Sequence, residues 1–507
     1  VQTASDLASS SQAFKLQYGQ GSTCSDISSW NDLGQPASST IWRGYNNSTT
    51  TDGADLFSNS ISYGDETVFD SATIDYTAVS ALDSSHFVVA YKDSGNSGYG
   101  TALVGAGSNS SSTLSFGSGY VFNSATSTYV AVASLSSTQF VAAYSDGGAS
   151  GYGRVIIGNI SGTSTIAYGP EYNFRSTDVY DIAIATLDST HFVVAYRDTG
   201  TGRAIIGTVS NTSTVSFGTN YVFNSATSSD ISVSALDSTH FVVAYSQVGS
   251  SYLGTAIIGA VSGSVISFGS QYTFNTSEIT VKTAVSALDS THFVVSYRDA
   301  GAIGTSTNGR AIIGILSSTS TISYGNEYTF SSNNTENSVS ALDAIHFVIA
   351  YEYSGYGRAI IGTFSSTSTI SYGENYYFNF TQTTNYPSVS VLNSANFVVS
   401  YQDGGNLFYG TAIIGSLNYL LLSASDVAGT YEEGNNSALN PYQASAGEDI
   451  EYDWVVQNNG ADVSTDYCFR MVKSDGTVLN YNNFPKLTTA AARNVDQSHY
   501  RWRNNDG

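Results

Sequence analysis

Five histidines recur at one place in this chain: His86, His191, His240, His292 and His346, each closing a Leu-Asp-x-x-His segment. Imidazoles repeated at regular spacing are raw material for a metal ring or a set of general bases. Two copies break the set, because Gln139 and Asn396 stand where the histidines stand. Neither amide titrates as an imidazole does. All three side chains can hydrogen-bond a turn backbone, so a structural role is expected. A second set, Asp93, Asp146, Asp198, Asp299 and Asp403, stands among glycines, as in "KDSGNSGYG". A calcium loop needs several oxygens converging on one ion, and these loops offer about one carboxylate apiece. Arg154, Arg203, Arg310 and Arg358 follow closely. They are expected to reach back to the acids in cross-strand contacts worth roughly 0.3 kcal/mol. No paired-carboxylate motif, Gly-x-Ser-x-Gly elbow, phosphate loop or metal-ligand cluster appears. The expectation is a protein that is not an enzyme and carries no cofactor or metal.

The elements that must position these residues are repeats. "VSALDSSHFVVAYKD" (79–93) returns near 132–146, 184–198, 233–247, 285–299, 339–353 and 389–403. Its register tyrosines are Tyr91, Tyr144, Tyr196, Tyr245, Tyr297, Tyr351 and Tyr401, spaced 53, 52, 49, 52, 54 and 50 residues apart. Each unit holds four strand-like pieces: A ("AVSAL"), B ("HFVVAY"), C ("GRAIIG" or "GTAIIG") and D ("TISYGNEYTF"). Turn residues separate them. In B, Phe87, Val89 and Tyr91 face one way and Val88 and Ala90 the other. Both faces are apolar, which suits a sheet packed on both sides, as propeller blades are. Four strands in about 50 residues, seven times over, predict an all-β, seven-bladed β-propeller across 58–417. A straight β-solenoid is the alternative.

The pieces do not count evenly. A, B and C each occur seven times, ending at "GTAIIGSL" (410–417). D reaches seven only with "ISYGDETVF" (61–69), which has no A, B or C before it. The strand 61–69 is therefore expected to pair with 410–417 and close the ring, since an open ring leaves strand edges bare. The D–A and B–C loops then share one face, including "NSATSSD" (224–230), and the A–B and C–D turns share the other. The Asp boxes of sialidase propellers are missing.

The 507 residues include 13% aromatic and 11% charged side chains, 48 glycines and five prolines. That composition favours strands with uncharged polar faces. A net charge of -23 makes nucleic acid and anionic membrane poor partners. No apolar run approaches the roughly 18 residues of a membrane span. The chain starts at Val1 and has one methionine, Met471, as a processed or excerpted chain would. Asn-x-Ser/Thr sequons, weak glycosylation candidates, start at Asn46, Asn47, Asn109, Asn159, Asn211, Asn275, Asn333, Asn379 and Asn435.

The flanks carry other strands. "AFKLQYGQ" (13–20), "TIWRGYN" (40–46), "EDIEYDWVVQNNG" (448–460) and a hairpin in "TDYCFRMVKSDGTVLNY" (465–481) alternate apolar and polar residues. Residues 1–57 and 418–507 are expected to form one discontinuous β-sandwich, Ig-like or FnIII-like, carrying the propeller as an insert. The alternative is an unstructured N-terminal flank beside an independent C-terminal sandwich. The two cysteines, Cys24 and Cys468, lie one in each flank. In an oxidising compartment they are expected to form a disulfide, which intact mass after alkylation tests.

"SQAFKLQYGQGSTC", "IWRGYNN", "VAGTYEEGNNSALNP", "YDWVVQNNGA", "YCFRMVKSDGT" and "HYRWRNNDG" lie on these flanks. Together they resemble a module of large repeat-containing surface proteins of uncultivated bacteria. In such modules a "YRWRNDDG"-like segment looks like the start, before the "FKLQYG" strand, whereas here it ends the chain. The resemblance implies a permuted module or one period of a longer array. Two functions follow as expectations. The first is an extracellular or cell-surface structural protein, forming a homopolymeric filament by strand exchange through the N-terminus or Tyr500–Gly507. The alternative is a glycan-binding, lectin-like adhesion propeller using the D–A/B–C face, with tyrosines to stack on sugars and Asn, Asp and Ser to hydrogen-bond them.

Overall fold

The computed structural model describes residues 57–419, apart from 108–112, 251, 277–278, 302–306, 318–319, 366–367 and 381–382, and several short strands in the flanks. The described residues are all-β, without an α-helix, and no helix among them is long and apolar enough to cross a membrane. The chain divides into two units, Asn59–Asn418 and Val1–Ser58 with Tyr419–Gly507.

The larger unit is propeller-like: antiparallel sheets repeat along the chain, each built as A–B–C–D. In the third repeat, strand B is His191–Asp198 and C is Thr201–Ser210. Ile184 of A faces Val194 of B, which faces Ile205 of C. The double-sided apolar pattern of B does what its residues dictate. Phe192, Val194 and Tyr196 pack against Val141 and Ala143 of the preceding sheet. Val193 and Ala195 pack against Phe241 and Val243 of the following one. All these B residues are fully buried.

Strand D departs from expectation in two ways. It is broken at its Tyr/Phe-Gly kink, so Thr214–Phe217 and Tyr221–Ala235 are separate strands. In Thr67–Ala81, Tyr120–Ser136, Tyr172–Thr186 and Tyr221–Ala235 the second piece then runs on, without a loop, from the outer edge of one sheet to the inner edge of the next, whereas Tyr272–Asn275, Tyr328–Ser331 and Tyr376–Asn379 end before the next A strand begins. In the third repeat the passage is strand throughout. It pairs Val222 with Arg203 of strand C and Val233 with Val243 of the next strand B. Residues 224–230, expected as a loop, are therefore strand. The backbone hydrogen-bonds through them and needs no turn.

A β-bulge marks the crossing. The A–B register shifts between Asp75 and Ala78, Tyr180 and Ala183, Ser229 and Ser232, Val281 and Ala284, and Asn385 and Ser388. Beyond the bulge, serines of one A strand accept from the backbone of the next: Ala287 N donates to Ser234 Oγ (3.0 Å) and Ala341 N to Ser286 Oγ (3.0 Å). Ala81 N donates to Ser390 Oγ (2.9 Å) and Val79 N to Ser388 Oγ (3.2 Å), linking the last A strand to the first.

Strand Tyr409–Tyr419 pairs Thr411 with Val68 and Ala412 with Thr67, and Gly64 N donates to Ile414 O (3.0 Å). The first glycine of strand C explains that seat: a Cβ on Gly410 would clash with the Phe69 ring, as one on Gly153 would with Phe174. Tyr401 Oη donates to Glu66 Oε1 (2.8 Å) just as Tyr297 Oη donates to Glu327 Oε1 (2.6 Å). In the flanks, Phe14–Gln20 pairs antiparallel with Tyr467–Lys473, which pairs with Val478–Phe484.

Candidate functional site

The histidines and their neighbours form turn caps. Asp188 Oδ1 accepts from the backbone of Thr190 (2.7 Å) and of His191 (2.8 Å), and Oδ2 lies 2.9 Å from His191 Nδ1. Asp83, Asp237, Asp289 and Asp343 hold His86, His240, His292 and His346 in the same way. Gln139 and Asn396 instead bond Asn159 and Asn393. Burial alone would raise the five carboxyls. Hydrogen bonds from the turn amides and the histidines outweigh it, taking Asp188 down to about 2 and lowering the others.

The arginines do reach the B-strand acids, but the acids are buried rather than superficial. Arg154 Nε lies 3.1 Å from Asp146 and Arg310 Nε 2.7 Å from Asp299. Asp198, fully buried, holds both Arg175 and Arg203. Breaking a buried pair on one side costs about 3 kcal/mol, an order above the surface value. Arg358 has no such acid, because Tyr353 replaces it. The guanidinium lies between the Tyr353 and Tyr377 rings, 3.9 and 4.1 Å from their centroids.

Among the sequons, Asn275 and Asn379 are buried, donating to Thr280 Oγ1 (3.0 Å) and Asp403 Oδ1 (3.1 Å). Asn159 accepts from Gln139, Asn333 donates to Ser354, and Asn211 is exposed at a turn. Asn46, Asn47, Asn109 and Asn435, Cys24 and Tyr500–Gly507 lie outside the described residues. The backbone of Cys468 pairs opposite Gly19.

A different set of residues comes together at the bulges. Three residues before Val79, Val132, Ile184, Val233, Val285, Val339 and Val389 stand Tyr76, Tyr129, Asp181, Asp230, Lys282, Glu336 and Tyr386. The repeats are near-copies, yet this column carries four residue types. It was legible in the sequence as a variable position inside a constant frame, and the search for familiar motifs passes over it. All seven side chains are half-buried. Six have left-handed backbone, with φ from 49° to 54°. That region is unusual for a tyrosine or lysine, and bulges commonly re-aim a side chain beside a functional site. Ile74 and Asp75 pair with Asp93 and Lys92, so the column lies at the B–C end of the sheets, away from the histidine turns.

Neighbours in the column touch or act electrostatically on one another. The Tyr76 ring lies 5.3 Å from Tyr129 and 5.5 Å from Tyr386. Tyr129 adjoins Tyr180 (5.8 Å), beside Asp181. Arg197 Nε holds Asp181 Oδ2 at 2.8 Å and covers the Tyr180 ring at 4.5 Å. Lys282 Nζ holds Glu336 Oε1 at 2.6 Å and acts on Asp230. Burial pushes the Asp181 carboxyl up, against the pull of Arg197. Burial would lower the Lys282 ammonium, but the Glu336 charge and hydrogen bond raise it. Burial raises the Tyr386 hydroxyl, helped by Asp75 and Tyr76. Among the described residues, no group of three His, Cys, Asp or Glu is placed to hold a metal ion. The arrangement offers an aromatic arc facing hydrogen-bonding charges: chemistry for binding.

No protein family and no curated protein matches this chain. Some solved structures are similar to it. A protein of unknown function from Dyadobacter fermentans shares 11% identity over 71% of this chain and 99% of its own, with a TM-score of 0.43. The BP39L lectin of Burkholderia pseudomallei shares 9% over 69% and 98%, with a TM-score of 0.49. The NanB sialidase of Streptococcus pneumoniae shares 11% over 72% and 70%, with a TM-score of 0.39.

Proposed function

We propose that this chain is a carbohydrate-binding β-propeller of a secreted or surface protein, which recognises a saccharide and does not transform it. The observation that carries the reading is the contiguous arc of Tyr386, Tyr76 and Tyr129 beside Asp181, Asp230, Lys282 and Glu336. Aromatic faces cover the C–H side of a sugar ring, and carboxylates accept its hydroxyls. With a net charge of -23, phosphate-rich ligands meet repulsion.

The proposed frame is a seven-bladed ring whose last blade takes 61–69 as its outer strand. The Phe69–Gly410 fit and the Tyr401–Glu66 hydrogen bond support it. The ring is proposed to be inserted in a discontinuous sandwich of 1–57 and 418–507 with a Cys24–Cys468 disulfide. Pairing of Phe14–Gln20 with Tyr467–Lys473 supports that division.

A glycan array tests the function. Saturable binding to a defined set of glycans, weakened in Tyr76→Ala, is expected. Silence across neutral, acidic and amino glycans would end the reading.

A further inference from the structure

We infer that the chain binds one non-acidic saccharide residue per molecule, at the mouth encircled by the seven-residue column, and not one per repeat. This rests on the carbohydrate reading above and specifies its ligand.

The stoichiometry follows from the column's variation. A site made from residues common to the repeats would recur around the molecule. The repeated polar groups are spent on structure instead: the turn aspartates cap their turns and the B-strand acids hold arginines. The column holds side chains that differ from repeat to repeat, and each neighbours the next. Tyr386 lies against Tyr76, Tyr76 against Tyr129, and Asp181 acts on Tyr129. Asp230 acts on Asp181, Lys282 holds Glu336, and Glu336 acts on Tyr386. Seven residues in such a cycle make a single composite site with an aromatic half and a charged half.

The aromatic half suits one sugar ring. Tyr76 lies 5.3 Å from Tyr129 and 5.5 Å from Tyr386, and three adjacent tyrosines offer the surface that one saccharide face covers.

Charge selects the class. The mouth carries five carboxylates, Asp75, Asp181, Asp230, Glu336 and Glu352, against four cations, Lys92, Arg197, Lys282 and Arg298. Three cations hold an acid directly: Lys92 holds Asp75 at 3.1 Å, Arg197 holds Asp181 and Lys282 holds Glu336. Arg298 acts on Glu352. Asp230 has a hydroxyl partner, Ser229 Oγ at 3.1 Å, and no salt bridge among the described residues. Its carboxylate is the acceptor for a sugar hydroxyl. A uronate or sialate would place a second anion there, in surroundings that screen charge poorly.

Titration calorimetry with the strongest neutral glycan from the array, beside glucuronic and N-acetylneuraminic acids, tests the inference. One equivalent per chain is expected, with no heat from the acids. Tyr76→Ala and the isosteric Asp230→Asn should each weaken binding about tenfold. Asp230→Asn keeps the test valid where Tyr76→Ala disturbs folding. Several equivalents per chain, an array answering only to acidic glycans, or binding indifferent to both variants and lost in Phe380→Ala on the outer rim would overturn the inference while leaving the carbohydrate reading intact. Silence from every saccharide would remove both.

Discussion

Asp188 shows how the imidazoles that resemble a catalytic or metal-binding set are used for structure. Its carboxylate gathers two backbone amides, a threonine hydroxyl and an imidazole nitrogen within one turn. Those bonds favour the charged form, so its folded pKa, about 2, lies below the unfolded value of about 3.9. A depressed carboxyl contributes stability above its unfolded pKa and loses it as pH falls through the folded one. Asp188→Asn should therefore be less stable than the parent at pH 7, by roughly 0.5–1 kcal/mol for so exposed a carboxylate. The difference should close between about pH 4 and pH 2. Urea midpoints across that range check it, and a difference that persists at pH 2 would contradict the assignment. Gln139 and Asn396 had signalled this structural role, because neither amide titrates as an imidazole does: Asn396 bonds Asn393 within its turn, and Gln139 bonds Asn159 across to strand C.

At the scale of the element, the glycines and phenylalanines of strands C and D decide the packing. Gly410 is glycine because a Cβ there would clash with the Phe69 ring. Gly410→Ala alone should destabilise by about 2–3 kcal/mol through overpacking. Phe69→Ala alone should cost about 2–4 kcal/mol. Together they should cost less than the sum, since removing the ring relieves the clash. Denaturant melts of the four proteins measure the coupling, and strict additivity would separate the two residues. The B strands were readable from their continuous apolar runs, recurring between turn residues, because both faces are buried. The D–A passage was not, because "NSATSSD" has the composition of a loop. Its polar residues are satisfied inside the sheets, as where Asn224 Nδ2 donates to Ser228 Oγ (2.9 Å). The bulge was equally hidden: left-handed tyrosine and lysine leave no compositional mark, whereas glycine would have.

Over the whole molecule, a near-constant frame carries a column that does not repeat. The frame fixes the backbone at seven similar places, and the column then varies the side chains without disturbing it. On the proposed function, binding energy concentrates in this composite site, as it does in the buried centre of an interface. The most direct test is hydrogen exchange with and without a saturating neutral glycan. Exchange should slow around residues 74–77, 128–131, 180–183, 229–232, 281–284, 335–337 and 385–388, and stay unchanged at the histidine turns. Protection centred on the turns at 83–86, 188–191, 237–240, 289–292 and 343–346, or spread equally over both ends of the strands, would contradict it.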